Sequence, residues 1–205
     1  MKNYNKFIFL FFCTCLTGFG SSLFAQTDYI INNDGVKIMG EVKSNNYNKV
    51  KFIADGERKV QKFNPKQLKE SYKAGEGVFR SVIRNKGEAQ LVLKVLEDGR
   101  VKLYEYFRQS AGGYTGGVAG GAGGYFVGGS TQKRWYAQKD DGVLVDIKSN
   151  GIWGSRKDRK DNFLNLVADN AHVTERYKKV DKFNFDFVRS LIVEYNALKA
   201  KEEEK

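Results

Sequence analysis

Cysteine, histidine and proline are nearly missing from this chain: two, one and one among 205 residues. So little Cys and His excludes a zinc cluster and a disulfide framework. The apolar run at residues 7–16 is too short for a comfortable membrane span. Disorder of the whole chain is excluded by 14% aromatic and 41% hydrophobic residues, and 22 glycines are too few for a fibrous protein. What is present is the length of one ordinary domain with a real core, and a net charge of +11 that raises the question of a nucleic-acid partner.

The first 25 residues read as a secretory signal. Lys2 and Lys6 give the basic start, residues 7–16 the apolar stretch, and residues 17–22 the small and polar stretch that leads to Ala25. Cleavage is expected after Ala25, although Leu23 is bulky for the third position back, and an uncleaved anchor is the alternative. Neither Cys13 nor Cys15 sits in a lipoprotein pattern. Cleavage removes both cysteines and both lysines, leaving 33 basic against 24 acidic residues, a net +9. Stability must then come from an apolar core, in a compartment where disulfides are permitted.

From residue 28 to 147 the apolar period is mostly two, as in Val36, Ile38 and Val42 and again in Val50 and Phe52. Turn signals recur at Asn33-Asp34-Gly35, Asp55-Gly56, Asn85-Lys86-Gly87, Asp98-Gly99 and Asp140-Asp141-Gly142. Strands are predicted at 28–32, 36–44, 48–54, 57–63, 77–84, 88–97, 100–108, 132–139 and 143–148, with one helical turn at 65–70 after the single proline. Beyond Gly154 the period changes to helical. Helices are expected at about 158–169, around Val173 and Tyr177, and from the N-cap Asn184 along Val188, Leu191, Ile192, Tyr195 and Leu198. The expected fold is α+β: an antiparallel sheet of hairpins curled into a roll or partial barrel over 26–150, then a helical tail, 151–205, packed on the sheet.

The unusual feature is a glycine-rich insert at 111–130. It lies within 24 uncharged residues, 109–132, that hold ten of the 22 glycines. Gly112, Gly116, Gly120, Gly124 and Gly128 are spaced by four, which in an apolar helix lets two backbones approach closely. In water the expectation is a mobile hairpin loop, because glycine costs about 1 kcal/mol per residue in a helix. No phosphate-binding register fits the glycines. These five glycines with Tyr114, Tyr125 and Phe126 in the insert, and Trp135 and Tyr136 at its exit, are the expected partner-contacting residues, suited to a protein, a pore wall or a lipid interface.

Catalytic signals are thin. His172, with Asp169 and Glu175 three residues to either side, fits a surface position better than acid–base chemistry. No catalytic residue, metal site or cofactor is expected, and the chain is read as a non-enzyme. The charge run at 156–161 alternates in sign and reads as a solvated helix start. Basic residues are otherwise scattered, giving +6 over 26–110 and +3 over 131–205, which argues against nucleic acid and allows anionic headgroups or acidic partners.

Framework positions carry a resemblance. Gly40-Glu41-Val42, Phe63-Asn64-Pro65 with Tyr72, Leu93-Lys94-Val95-Leu96 with Leu103-Tyr104, and the ending Val193-Glu194-Tyr195-Asn196 resemble a family of small exported β-rich proteins from bacteria that use type 9 secretion. The family's first tail helix usually carries a Cys after an Asp, where this chain has Asp169-Asn170. The resemblance implies an envelope location and a β-rich domain with a helical tail, and no catalytic residue; the glycine insert lies outside its pattern. The expected function is a non-enzymatic periplasmic or outer-membrane-associated accessory subunit. It docks onto an envelope protein such as a secretion or transport channel, with the insert contacting or occluding it, and so resembles plug-like subunits of the type 9 translocon. The alternative is a periplasmic ligand-binding or enzymatic domain whose pocket is lined by Tyr104, Tyr106, Trp135 and Tyr136.

Overall fold

A computed structural model describes residues 27–84, 89–115, 125–151, 154–180 and 183–204. The signal segment, the Asn85-Lys86-Gly87 turn and Gly116, Gly120 and Gly124 lie outside the described residues. Twelve strands precede three helices: β1 (Tyr29–Asn32), β2 (Lys37–Asn46), β3 (Lys49–Ala54), β4 (Gln61–Phe63), β5 (Leu68–Lys73), β6 (Gly77–Ile83), β7 (Gln90–Asp98), β8 (Val101–Ser110), β9 (Gly113–Thr115), β10 (Tyr125–Val127), β11 (Ser130–Lys139), β12 (Val145–Ser149), α1 (Arg156–Val167), α2 (Ala171–Lys179) and α3 (Phe185–Glu203).

Ten strands form one open antiparallel sheet in the order β12-β11-β8-β7-β6-β5-β1-β2-β3-β4. The first four make a meander; β5 then returns to the free side of β1 and starts a second meander that ends at β12. The expected α+β architecture is therefore present, with short strands at both edges, where unpaired backbone is a liability. The sheet curls strongly: the turn after β2 reaches β7, where Val92 N donates to the Tyr47 carbonyl at 2.9 Å. Curling buries Ile30, Val42, Val50, Phe52 and Leu68 against Val92. The same inner face is covered at its other end by the helices, where Val101, Leu103, Trp135, Ala137 and Ile147 meet Phe163, Val167, Leu191, Ile192 and Tyr195.

Two local expectations change. The turn at 65–70 is a single 3-10 turn, Pro65–Gln67, held by a capping box between Asn64 and Gln67, and the chain then enters β5 directly. That strand escaped the period-two search because its buried positions include a polar one: Ser71 is 1% exposed and its hydroxyl donates to Asn45 Oδ1 at 2.9 Å. The strand expected at 57–63 shortens to β4. Asn184 does cap α3, accepting from Phe187 N at 2.8 Å, as Ser155 and Asn170 cap α1 and α2.

Candidate functional site

Strands β8 and β11 pair from Val101↔Lys139 to Ser110↔Ser130, and β9 and β10 carry the same register on to Thr115↔Tyr125. The β7–β8 ladder stops much earlier, at Lys94↔Glu105. Beyond it a two-stranded arm leaves the sheet. From Tyr106 to Thr115 it is about 30 Å long at the usual strand rise. Its described surface is open, with residues 107–111 and 128–131 exposed and the Phe107 ring at 54% exposure. The glycines have a steric reason at Gly129: a Cβ there would sit 2.7 Å from the Ser110 carbonyl and 3.0 Å from Gly112 N. The insert is thus a hairpin extension of the sheet through its described residues.

Where β7 and β8 part, the turn after β2 enters the gap and leaves a cleft of about 610 Å³ on the inner face. Asn45, Asn46 and Tyr47 form its back, Phe79, Val92 and Lys94 one wall, and Glu105, Phe107 and Gln109 the other, with Arg108 bordering it from the opposite face of β8. Glu105 lies at its base, accepting from Lys133 Nζ at 2.8 Å and Trp135 Nε1 at 2.9 Å. Burial pushes this carboxyl up, but those two donors and the charges of Lys133 and Lys94 outweigh it and hold it below the ordinary range. The Asn45 Nδ2 amide is buried without an acceptor. Glu105, Lys94, Arg108 and Asn45 were not singled out from the sequence. One signal was available: Glu105 stands on the β8 face that otherwise carries Val101, Leu103 and Phe107.

The other face of the same gap holds a shallow recess of about 190 Å³ among Tyr47, Arg84, Leu91, Tyr106, Gln132, Arg134 and Tyr136. Burial, then the neighbouring Tyr47, pushes the Tyr106 hydroxyl up. Nearby, burial raises the Asp146 carboxyl despite the opposing charges of Arg134 and Arg159.

The expected contact residues divide. Gly112 and Gly128 lie on the arm, and Tyr114, Tyr125 and Phe126 occupy its outer strands, Tyr114 opposite Phe126. Trp135 and Tyr136 do not suit the interfacial position expected of them. Each is 3% exposed, and they lie on opposite faces. Trp135 is covered by Phe185 of α3 at 4.7 Å between ring centroids, and Tyr136 belongs to a cluster with Leu93, Tyr104 and Leu144. Strand alternation decides this, since adjacent residues cannot share one wall. For the same reason Tyr104, Tyr106, Trp135 and Tyr136 do not line one pocket.

His172 pairs with neither Asp169 nor Glu175. Its Nε2 lies 2.8 Å from Glu194 on α3, a carboxylate shared with Arg176, and its side chain is 70% exposed. Asp169 instead receives Lys139 Nζ at 2.7 Å, the Tyr195 hydroxyl at 3.0 Å and Lys199 Nζ at 3.5 Å. These are helix-docking contacts. Among the described residues there is no group of three or more potential metal ligands, and no helix long and apolar enough to cross a membrane. Comparison with family models, curated proteins and solved structures returns no match.

Proposed function

We propose that this protein is a non-enzymatic accessory subunit of the bacterial envelope, exported by its first 25 residues, that docks onto a periplasmic or outer-membrane protein through the β8–β11 arm and its glycine-rich end. One observation carries this reading: a two-stranded arm, uncharged from 109 to 132, continues about ten residues per strand beyond the last β7–β8 pair. A ribbon that is uncharged over 109–132, with residues 107–111 and 128–131 exposed, contributes little through those residues to its own chain's core and leaves them open to something else. Contact with, or occlusion of, a secretion or transport channel fits that chemistry.

The test replaces residues 111–129 by Asn-Gly, closing Ser110 and Ser130 with a two-residue hairpin turn. The unaltered chain, purified from a detergent-solubilised envelope, is expected to bring a stoichiometric membrane partner that the shortened chain loses. A shortened chain that keeps every native partner overturns the proposal. The ligand-binding alternative is favoured by the recess at Tyr47, Tyr106 and Arg134, and it predicts a soluble monomer whose melting temperature rises with a small anionic ligand.

A further inference from the structure

We propose that the cleft at the root of the arm binds an extended acidic peptide segment, which adds as a third strand to the free edge of β8. The two edges of the arm differ. On the β11 side, Asn150 takes the place of a neighbouring strand: its Oδ1 accepts from Lys133 N at 2.8 Å, its N donates to the Lys133 carbonyl at 3.1 Å, and its Nδ2 donates to the Thr131 carbonyl at 3.1 Å. On the β8 side the ladder ends at Lys94↔Glu105, so residues 107–110 have no strand neighbour there. In an antiparallel ribbon every second residue turns its N–H and C=O away from its partner. That edge therefore offers unpaired backbone groups to the 610 Å³ cleft.

Charge selects the occupant. Both carboxylates that line the cleft are already engaged, Glu76 by Lys73 and Glu105 by Lys133. Neither Lys94 nor Arg108 has a carboxylate within ion-pair distance among the described residues. Lys94, whose charge acts on Glu105, stands on the inner face of the edge and Arg108, beside the Tyr106 hydroxyl, on the other; the Asn45 Nδ2 donor is unpartnered. Phe107 and Arg108 stand on opposite faces of the edge, so a paired strand would meet an apolar partner and a cation alternately. An acceptor-rich segment alternating apolar and acidic side chains satisfies both faces. Strand addition supplies affinity through the backbone and specificity through alternate side chains. The inference does not depend on what the glycine-rich end of the arm meets.

The probe is a short fluorescent peptide alternating valine and aspartate, titrated into the full chain by anisotropy. Saturable binding is expected, weakened about tenfold or more when backbone nitrogens facing β8 are methylated. Arg108→Glu should weaken it similarly, and this variant should accept the corresponding valine–lysine peptide, which the unaltered chain refuses. Circular dichroism checks that the exposed substitution leaves the fold intact. Absence of saturable binding, equal binding of the methylated peptide, or indifference to Arg108→Glu each overturns the proposal. The Asn-Gly chain lacking 111–129 retains residues 107–110 and should still bind the peptide; loss of binding there also counts against it. Failure of partner capture with peptide binding intact would separate this inference from the role of the arm.

Discussion

Asp169 shows how much one side chain can hold. It sits just past α1 and gathers a lysine from β11 and a tyrosine and a lysine from α3, joining three elements. Partial burial pushes its carboxyl up, but hydrogen bonds from Lys139 and Tyr195 outweigh this and bring it down to about 2. A carboxyl lowered in the folded state stabilises above its unfolded value, so this contribution should fade as pH falls from about 4 toward about 2. With Asp169 at 36% side-chain exposure, solvent screening limits the effect to the order of 1 kcal/mol. Urea unfolding of Asp169→Asn against the unaltered chain should show that difference at neutral pH, shrinking below pH about 3. Gly40 is a second such position, for a steric reason. A Cβ there would run into the Ile53 carbonyl and the Phe52 ring, so Gly40→Ala should cost about 1–3 kcal/mol, read as a lower unfolding midpoint. The turn glycines were legible from their dipeptides, and Gly35 and Gly56 do take φ of 83° and 81°. At 140–142 the left-handed residue is Asp140, with φ 50°, rather than the glycine. Gly99 is small because Asn196 lies against it.

Elements are joined by side chains that imitate backbone. Asn196 of α3 accepts from Val101 N at 2.8 Å and donates to the Val101 carbonyl at 2.9 Å, acting as a strand partner at the start of β8. Asn196→Ala leaves both groups without partners and is expected to cost about 1–3 kcal/mol while helical content stays unchanged, checked by thermal unfolding and circular dichroism. The other framework positions behave alike. Tyr72 stacks on Tyr29 at 5.4 Å, Pro65 is buried in the capped turn, and Tyr195 is buried beneath Lys139 of β11 with its hydroxyl on Asp169. Tyr72, Pro65, Tyr195 and Asn196 are thus architectural here. Strands with alternating apolar residues and helices with polar caps were legible because burial on one face writes a period into the sequence. β5 was not, because its interior partners are polar and come from β2, 26 residues away for Ser71 and Asn45.

At the scale of the whole molecule, core and arm separate. The two inner-face clusters are built from the curled first hairpins and from the helical tail, and among the described residues neither contains one of 109–112 or 128–130. Replacing 111–129 by Asn-Gly should therefore shift the thermal midpoint by no more than a few degrees, whatever it does to binding. A large loss of stability would show instead that the arm folds back on the body. The surplus positive charge is also distributed by the fold. In the helical half Arg176, Arg189 and Lys199 pair with carboxylates, and exposed pairs contribute little, whereas Lys94 and Arg108, on opposite faces of the β8 edge, have no ion-pair carboxylate among the described residues. By itself the sequence determined the class of the fold, the helix starts, most strands and the uncharged glycine segment, because period, caps and composition are local properties of a chain. Only the tertiary structure decided that Trp135 and Tyr136 are core, that His172 meets Glu194, and that a cleft opens where β8 leaves β7. Those outcomes depend on which face of the sheet is covered and on contacts such as Tyr47 with Val92, between segments that no local pattern links.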